Sequence, residues 1–440
     1  MAVTCLSAGI AAAQIGGGYG GPGVLSNGIG DIGARSGQQV NLRFYGSVTG
    51  VYDSGVEPLG VDSKGNLITL NGLYGIEGSA GVYGVHAWKR AQLGVDYRGT
   101  IREYENGPGG INGTDQFLTL GYTYQKSRRL SLDVRQLGGV ISYGTGGLAN
   151  SVATSAQDNS VAQPYSILFD SRYYFYQSTA DANFAITSRT GFSVGGDGYE
   201  VFQSSSQLAG VEGYDLRGTL QHKLSRNSTI GVMYTHTHYD FPHFFGNSTI
   251  DMGQAFYNAQ IGRRWNMSLR AGVFVAQVSG TQQVTLSAAV AALLGGQTTS
   301  YQAYSSTLLY PSGTASVSRG FKNSSLNFHY GRTVTPGNGV YLTSVTDDGG
   351  AGYSYTGIRK WNLGVQGSYS RLGAIGLNLQ PYATYSGGGG FTYTVSHGFH
   401  IVGRYDARHQ DITAAGYRQT GYRATIGVAF SPGSVPLSLW

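Results

Sequence analysis

The sequence has little of what most folds of its length rely on. Its 440 residues hold a single cysteine, Cys5, so no intrachain disulfide framework can staple the chain. Proline is scarce, at 10 residues, which leaves long stretches able to donate to β-ladders. Charged side chains make up 12 %, about half the share usual in soluble globular domains. Long apolar runs are missing too: none reaches the roughly 18 residues that a membrane-spanning helix needs. The net charge of +6 is small for the length and comes without a Lys/Arg block, which excludes the electrostatic footprint of a nucleic-acid binder. An aromatic content of 12 % excludes a chain that avoids burial.

What is present is 71 glycines, 33 tyrosines and 40 % hydrophobic residues. Low charge with modest hydropathy describes strands that meet lipid on one face and water on the other. The expected organisation has four parts. Residues 1–13 end in Ala11-Ala12-Ala13 after an apolar run, the form of a secretory signal, though no Lys or Arg precedes that run. Cys5 would leave with it, and a cysteine-free mature chain suits an oxidising compartment. Residues 14–38 are Gly-rich and aperiodic, a flexible lead. Residues 39–430 carry period-two alternation almost throughout, and residues 431–440 form a proline-containing tail.

The alternation is explicit. Leu93, Val95, Tyr97 and Ile101 interleave with Asp96, Arg98, Thr100 and Arg102; Met267, Leu269, Ala271 and Val273 oppose Ser268, Arg270 and Gly272. Strict alternation places the two classes on opposite faces. Segments of about 10 residues exceed ordinary sandwich strands. The connections alternate between short turns, such as Ser127-Arg128-Arg129 and Arg263-Arg264-Trp265, and longer Gly/Ser-rich loops, among them 281–312 and 337–350. Counting segments predicts an all-β antiparallel transmembrane barrel of about 18 strands (16–18), with short periplasmic turns and long extracellular loops. Trp88, Trp265 and Trp361 sit at short turns, where an amphipathic indole suits a lipid–water boundary as part of an interface girdle.

The last strand alternates Tyr422, Ala424, Ile426, Val428 and Phe430. It resembles the C-terminal β-signal of bacterial outer-membrane β-barrels of the porin-like kind. In that family the signal ends the chain, whereas here Pro432 and Pro436 lead a tail to Trp440, so the strand should stop near Phe430. The resemblance implies the bacterial outer membrane as location. It implies membrane lipid, the barrel-assembly machinery and small hydrophilic solutes as partners, with no cofactor. The oligomeric state is not readable.

If the apolar parity faces lipid, the other parity lines the lumen. That assigns Arg98, Arg102, Arg135, Arg217, Arg270, Arg404, Arg408, Arg423, Asp96, Asp133, Asp215 and Asp406 to the interior. Arginine outnumbers aspartate in this set, which predicts either a weak anion preference or charges that pair across strands. His236 and His238 share a face with Asp240, and His243 lies beyond Pro242. The spacing permits a metal but fits exposed histidines at a loop base better. Within 281–312, Leu286, Ala289, Val290, Leu293 and Leu294 form a helical stripe ending at Gly295-Gly296. Such a helix either narrows the lumen or lies on the rim. No G-x-S-x-G elbow or H-E-x-x-H helix occurs, so no enzymatic activity is expected. Gly387 to Gly390 lie inside a strand pattern and read as close packing, not as a phosphate cradle. The expected function is passive diffusion of small hydrophilic solutes. The alternative is a structural or surface-interaction barrel with an occluded lumen and functional loops.

Overall fold

The computed structural model describes residues 39–54, 60–61, 67–68, 72–105, 113–141, 172–204, 209–242, 245–285, 299–337, 342–376, 381–396, 398–412 and 417–431. The expected segments 1–13 and 14–38, the helical stripe of Leu286 to Leu294, His243 and all but Ser431 of the tail lie outside the described residues.

The strands are β1 (Gln39–Ser54), β4 (Leu73–Ala87), β5 (Ala91–Tyr104), β6 (Gly113–Gln125), β7 (Leu130–Ile141) and β8 (Tyr173–Ala185). Then come β9 (Thr190–Gln203), β10 (Val211–Lys223), β11 (Ser228–Asp240), β12 (Gly246–Ile261), β13 (Trp265–Thr285) and β14 (Thr299–Gly320). The set ends with β15 (Ser324–Thr335), β16 (Ser344–Tyr355), β17 (Trp361–Ala374), β18 (Tyr382–Ser396), β19 (Phe399–Ile412) and β20 (Tyr417–Phe430). A two-residue ribbon, β2 (Gly60–Val61) with β3 (Leu67–Ile68), sits in the first loop. The 18 long strands form one antiparallel sheet that closes because β1 pairs with both β4 and β20. Closure leaves no edge with unpaired backbone groups, which is the condition for a sheet in hydrocarbon.

Two expected loops are shorter than the spacing suggested. The 281–312 stretch is mostly ladder, since β13 runs to Thr285 and β14 starts at Thr299 with unbroken pairing between them. Likewise 344–350, expected as loop, belongs to β16. Ser, Thr and Gln are frequent in the first segment and Asp and Gly in the second, so composition resembled loop where the backbone is in fact paired.

The abundance of glycine beside tyrosine has a packing reason. A Cβ on Gly81 would strike the ring of Tyr45, and one on Gly213 would strike that of Tyr199. The rings lie across the glycines and cover the backbone they leave bare. In β18, Gly388 likewise gives way to Asp406 of the neighbouring strand, which is the close packing expected for that run.

The outward parity is apolar between two boundaries. At the short-turn end lie Trp88, Trp265 and Trp361. Trp361 packs against Phe391 and Tyr393, and the Arg319 guanidinium lies 4.8 Å from the Trp265 ring centre. At the loop end the register aligns Arg332, Asp347 and Arg371 across β15–β17, just beyond a row holding Tyr330, Tyr369 and Tyr385. On the other side Glu200, Glu212 and Asp240 align across β9–β11, followed by Asn247 and Ser279. Along β17, the path from Trp361 to Arg371 projects to about 25 Å at the usual strand rise and tilt, the height of an apolar band in membrane barrels. Large side chains such as Ile76, Ile101, Val365 and Ile426 stand in this belt 59–64 % exposed, which water would not tolerate over so large an area.

Candidate functional site in the barrel lumen

Cross-strand partners share a face, so the ladder registers trace the inner lining around the barrel. Starting from buried Asp53 and Thr49 on β1, the inward row passes to Glu77, Arg102, Thr100 and Asp115. All twelve charged residues read from the alternation lie on this inward parity. So do Asp53, Glu77, Asp115, Asp181, Asp197 and Asp348, and Lys223 near a short turn. The arginine surplus of the sequence set therefore disappears. Among the residues whose side chains are described, eight arginines and Lys223 share the lining with ten carboxylates.

These charges are organised in compact groups. Arg102 donates to Glu77 at 2.9 Å and to Asp115 at 3.3 Å. Arg423 reaches Glu77 at 2.6 Å and Asp53 at 3.5 Å, and Tyr104 donates its hydroxyl to Asp53 at 3.2 Å. This network ties β4, β5 and β6 to β1 and β20 across the closing seam. Arg217 on β10 holds three carboxylates: Asp197 at 2.9 Å, Asp181 at 3.2 Å and Asp215 at 3.5 Å. A planar guanidinium with five donors can serve several acceptors at once, which a lysine cannot. Arg98 pairs with Asp96 at 2.7 Å and Arg404 with Asp406 at 2.6 Å, each two residues along one strand face. Asp133 accepts from Thr123 and Asn183. Arg135 and Arg270 have further interactions of their own, and Arg408 stands in register with Ser386 and Gly421.

Between Arg270 on β13 and Arg404 on β19 the lining changes character. The inward positions of β14–β18 are mainly Ser, Thr, Gly, Asn and Gln, including Ser316, Ser318, Asn327, Gln366, Ser368 and Ser386. His329 and Asp348, 3.6 Å apart, are the imidazole and the carboxylate on this arc among the described residues.

A third region was not foreseen. Toward the loop end of β7–β14 the inward side chains are apolar and buried: Ile141, Tyr173, Phe175, Tyr199, Val201, Tyr239, Ile250, Phe274 and Ala276 form one cluster. Phe274 is fully buried and stacks on Tyr310 at 5.6 Å. The cluster is closed from inside the barrel. β14–β15 pairing ends at Gly313–Arg332, next to Pro311, which has no N–H to continue a ladder. Beyond that split the loop end of the β15–β16 hairpin tucks under β12–β14. Val334 and Val345 join the apolar cluster, Leu342 packs against it, and Thr343 hydrogen-bonds Ser248 of β12. Ile375, whose N–H donates to the Thr343 carbonyl, packs into the same cluster. The inward-folded segments are thus 333–337 and 342–346; of the expected 281–312 loop, 281–285 and 299–312 are wall ladder, and its helical stripe lies outside the described residues.

His236 and His238 are on the outward parity of β11. His236 Nδ1 meets Asp251 at 2.8 Å; His238 meets Thr249 through Nδ1 and Asp240 through Nε2, both at 3.0 Å. Each histidine has its own carboxylate, and no three potential ligands converge among the described residues. Tyr422, Ala424, Ile426, Val428 and Phe430 face outward on β20, with Phe430 5.1 Å from Phe399 and 6.2 Å from Phe44.

The wall and its lining define the class: an all-β, antiparallel, closed barrel of 18 strands. Solved structures similar to it are outer-membrane porins. A BenF-like porin from Pseudomonas fluorescens Pf-5 aligns over 89 % of this chain and 98 % of its own, at 8 % identity and a TM-score of 0.45. OccK2 (OpdF) of Pseudomonas aeruginosa covers 89 % and 99 % at 9 % identity and 0.43, and OccAB4 of Acinetobacter baumannii 90 % and 98 % at 9 % and 0.42. The likeness is one of fold alone, and no residue role or solute is carried over from them. No protein-family model matches the chain, and no curated protein does.

Proposed function

We propose that the chain forms an outer-membrane, porin-like channel through which small hydrophilic solutes diffuse passively. The observation that carries this is the reversal of polarity across one closed wall. An apolar belt about 25 Å tall faces outward, while charged and hydroxyl side chains face a lumen enclosed by 18 strands. A barrel of that strand number is too wide for wall side chains alone to fill. In this reading Arg98, Arg102, Arg135, Arg217, Arg270, Arg404, Arg408 and Arg423 line the passage with Asp96, Asp133, Asp215 and Asp406. Trp88, Trp265 and Trp361 anchor the periplasmic boundary. The Tyr422–Phe430 alternation serves as assembly signal, and residues 1–13 direct export. Single-channel recording of the refolded protein in planar bilayers tests the proposal: stable conductance steps are expected, and their complete absence would refute it.

The apolar cluster within the loop end of the lumen favours one second reading, a barrel whose lumen is occluded and whose loops do the work. Absence of conductance with normal insertion is the outcome that would select it.

A further inference from the structure

We propose that the passage favours small uncharged polyhydroxylated solutes over ions of either sign; this rests on the channel reading above. Two independent features of the lining support it. First, five of the eight arginines of the charged arc are held against carboxylates. Arg98, Arg102, Arg217, Arg404 and Arg423 each lie 2.6–2.9 Å from a carboxylate oxygen. Opposite charges that close together cancel beyond a few ångströms, and mobile salt screens what is left within about 8 Å. An entering ion therefore meets little net field to offset the hydration it gives up on entry. Second, the β14–β18 arc offers hydroxyls, amides and bare glycine backbone with a single imidazole–carboxylate pair, His329 and Asp348, among the described residues. Hydroxyl groups exchange water for such partners at nearly constant hydrogen-bond energy, whereas an ion cannot. The sequence-based expectation of anion preference has no surplus of cations left to support it.

The test pairs reversal potentials in a salt gradient with swelling of proteoliposomes in a neutral hexose, its uronic acid and its amino sugar. Wild type is expected to give an anion-to-cation permeability ratio within about two-fold of unity, the scale of one unit charge acting through water at several ångströms. The neutral hexose is expected to enter faster than both charged forms. Arg217→Gln releases Asp181, Asp197 and Asp215 and should shift the ratio about two- to five-fold toward cations. Ser368→Lys places a cation on the hydroxyl arc and should shift it about two-fold or more toward anions; it keeps the test open should Arg217→Gln fail to fold. A wild-type ratio beyond about five-fold either way, which needs more than one uncompensated charge, would overturn the proposal. So would faster entry of the uronic acid or amino sugar, or no response to Ser368→Lys. Vesicles impermeable to all three sugars and to salt would instead bring down the channel reading itself.

Discussion

Neighbouring residues on β17 give the sharpest check of which face meets lipid. Val365 points outward and is 59 % exposed, while Gln366 points into the lumen between Gly352 and Gly388. Val365 stands about 10 Å above the Trp361 level and about 15 Å below Arg371, by the same rise and tilt used for the belt. It is therefore close to the midplane. An arginine there is expected to cost about 2–4 kcal/mol, whereas one in an aqueous lumen costs about 0–1 kcal/mol. The difference of roughly 2–3 kcal/mol corresponds to a change of about 30- to 150-fold in the folding equilibrium. Denaturant titration of Val365→Arg and Gln366→Arg, refolded into the same lipid vesicles, measures it directly. Equal costs, or a larger cost for Gln366→Arg, would mean that the outward parity is not in hydrocarbon, and the membrane assignment would fail.

Three further outcomes follow from the packing. Phe274→Ala empties a fully buried site against Tyr310 and should destabilise the refolded barrel by about 3–5 kcal/mol, read from the same titration. Replacing Ser248 and Thr343 together by cysteine should yield an intramolecular disulfide under mild oxidation, visible as a mobility shift reversed by reductant; failure to cross-link would contradict the tucked hairpin. Gly398, with φ of +84°, sits in the short turn where an added Cβ would lie 3.0 Å from Phe430, so Gly398→Ala should cost about 1–3 kcal/mol and slow closure of the seam. Refolding yield by gel mobility would register it, and wild-type yield would argue against strain there.

The fold was legible wherever one face was apolar and the other polar. Leu93 to Arg102 and Met267 to Val273 read cleanly because each residue reports its side of the wall. Legibility fails at the loop ends. In Tyr173-Tyr174-Phe175-Tyr176 and Val273-Phe274-Val275-Ala276 both faces are apolar, so period two vanishes. The inward members Tyr173, Phe175, Phe274 and Ala276 are buried against segments far away in sequence. Asp53 was hidden because Val51 and Tyr52 before it are both apolar, so period two is lost there. Asp197 could have been found, since Phe192 and Val194 fix the outward parity of β9 and put Asp197 on the other. Asp181 had no such guide among Ser, Thr and Ala neighbours.

Period-two patterning, the short turns and the scarcity of proline and charge were enough by themselves to determine a long-stranded antiparallel barrel with apolar side outward. The reason is that alternation is a local property, fixed by backbone geometry at each residue. Pairing is not local. Only the tertiary structure decided that Arg217 meets three aspartates from three strands, and that Arg423 closes the seam onto Glu77, 346 residues away. It alone decided, too, that the wall splits beside Pro311 and sends residues 333–337 and 342–346 inward. Charge counts along a sequence give the composition of a lining, while cancellation between charges depends on distances that closure of the barrel sets.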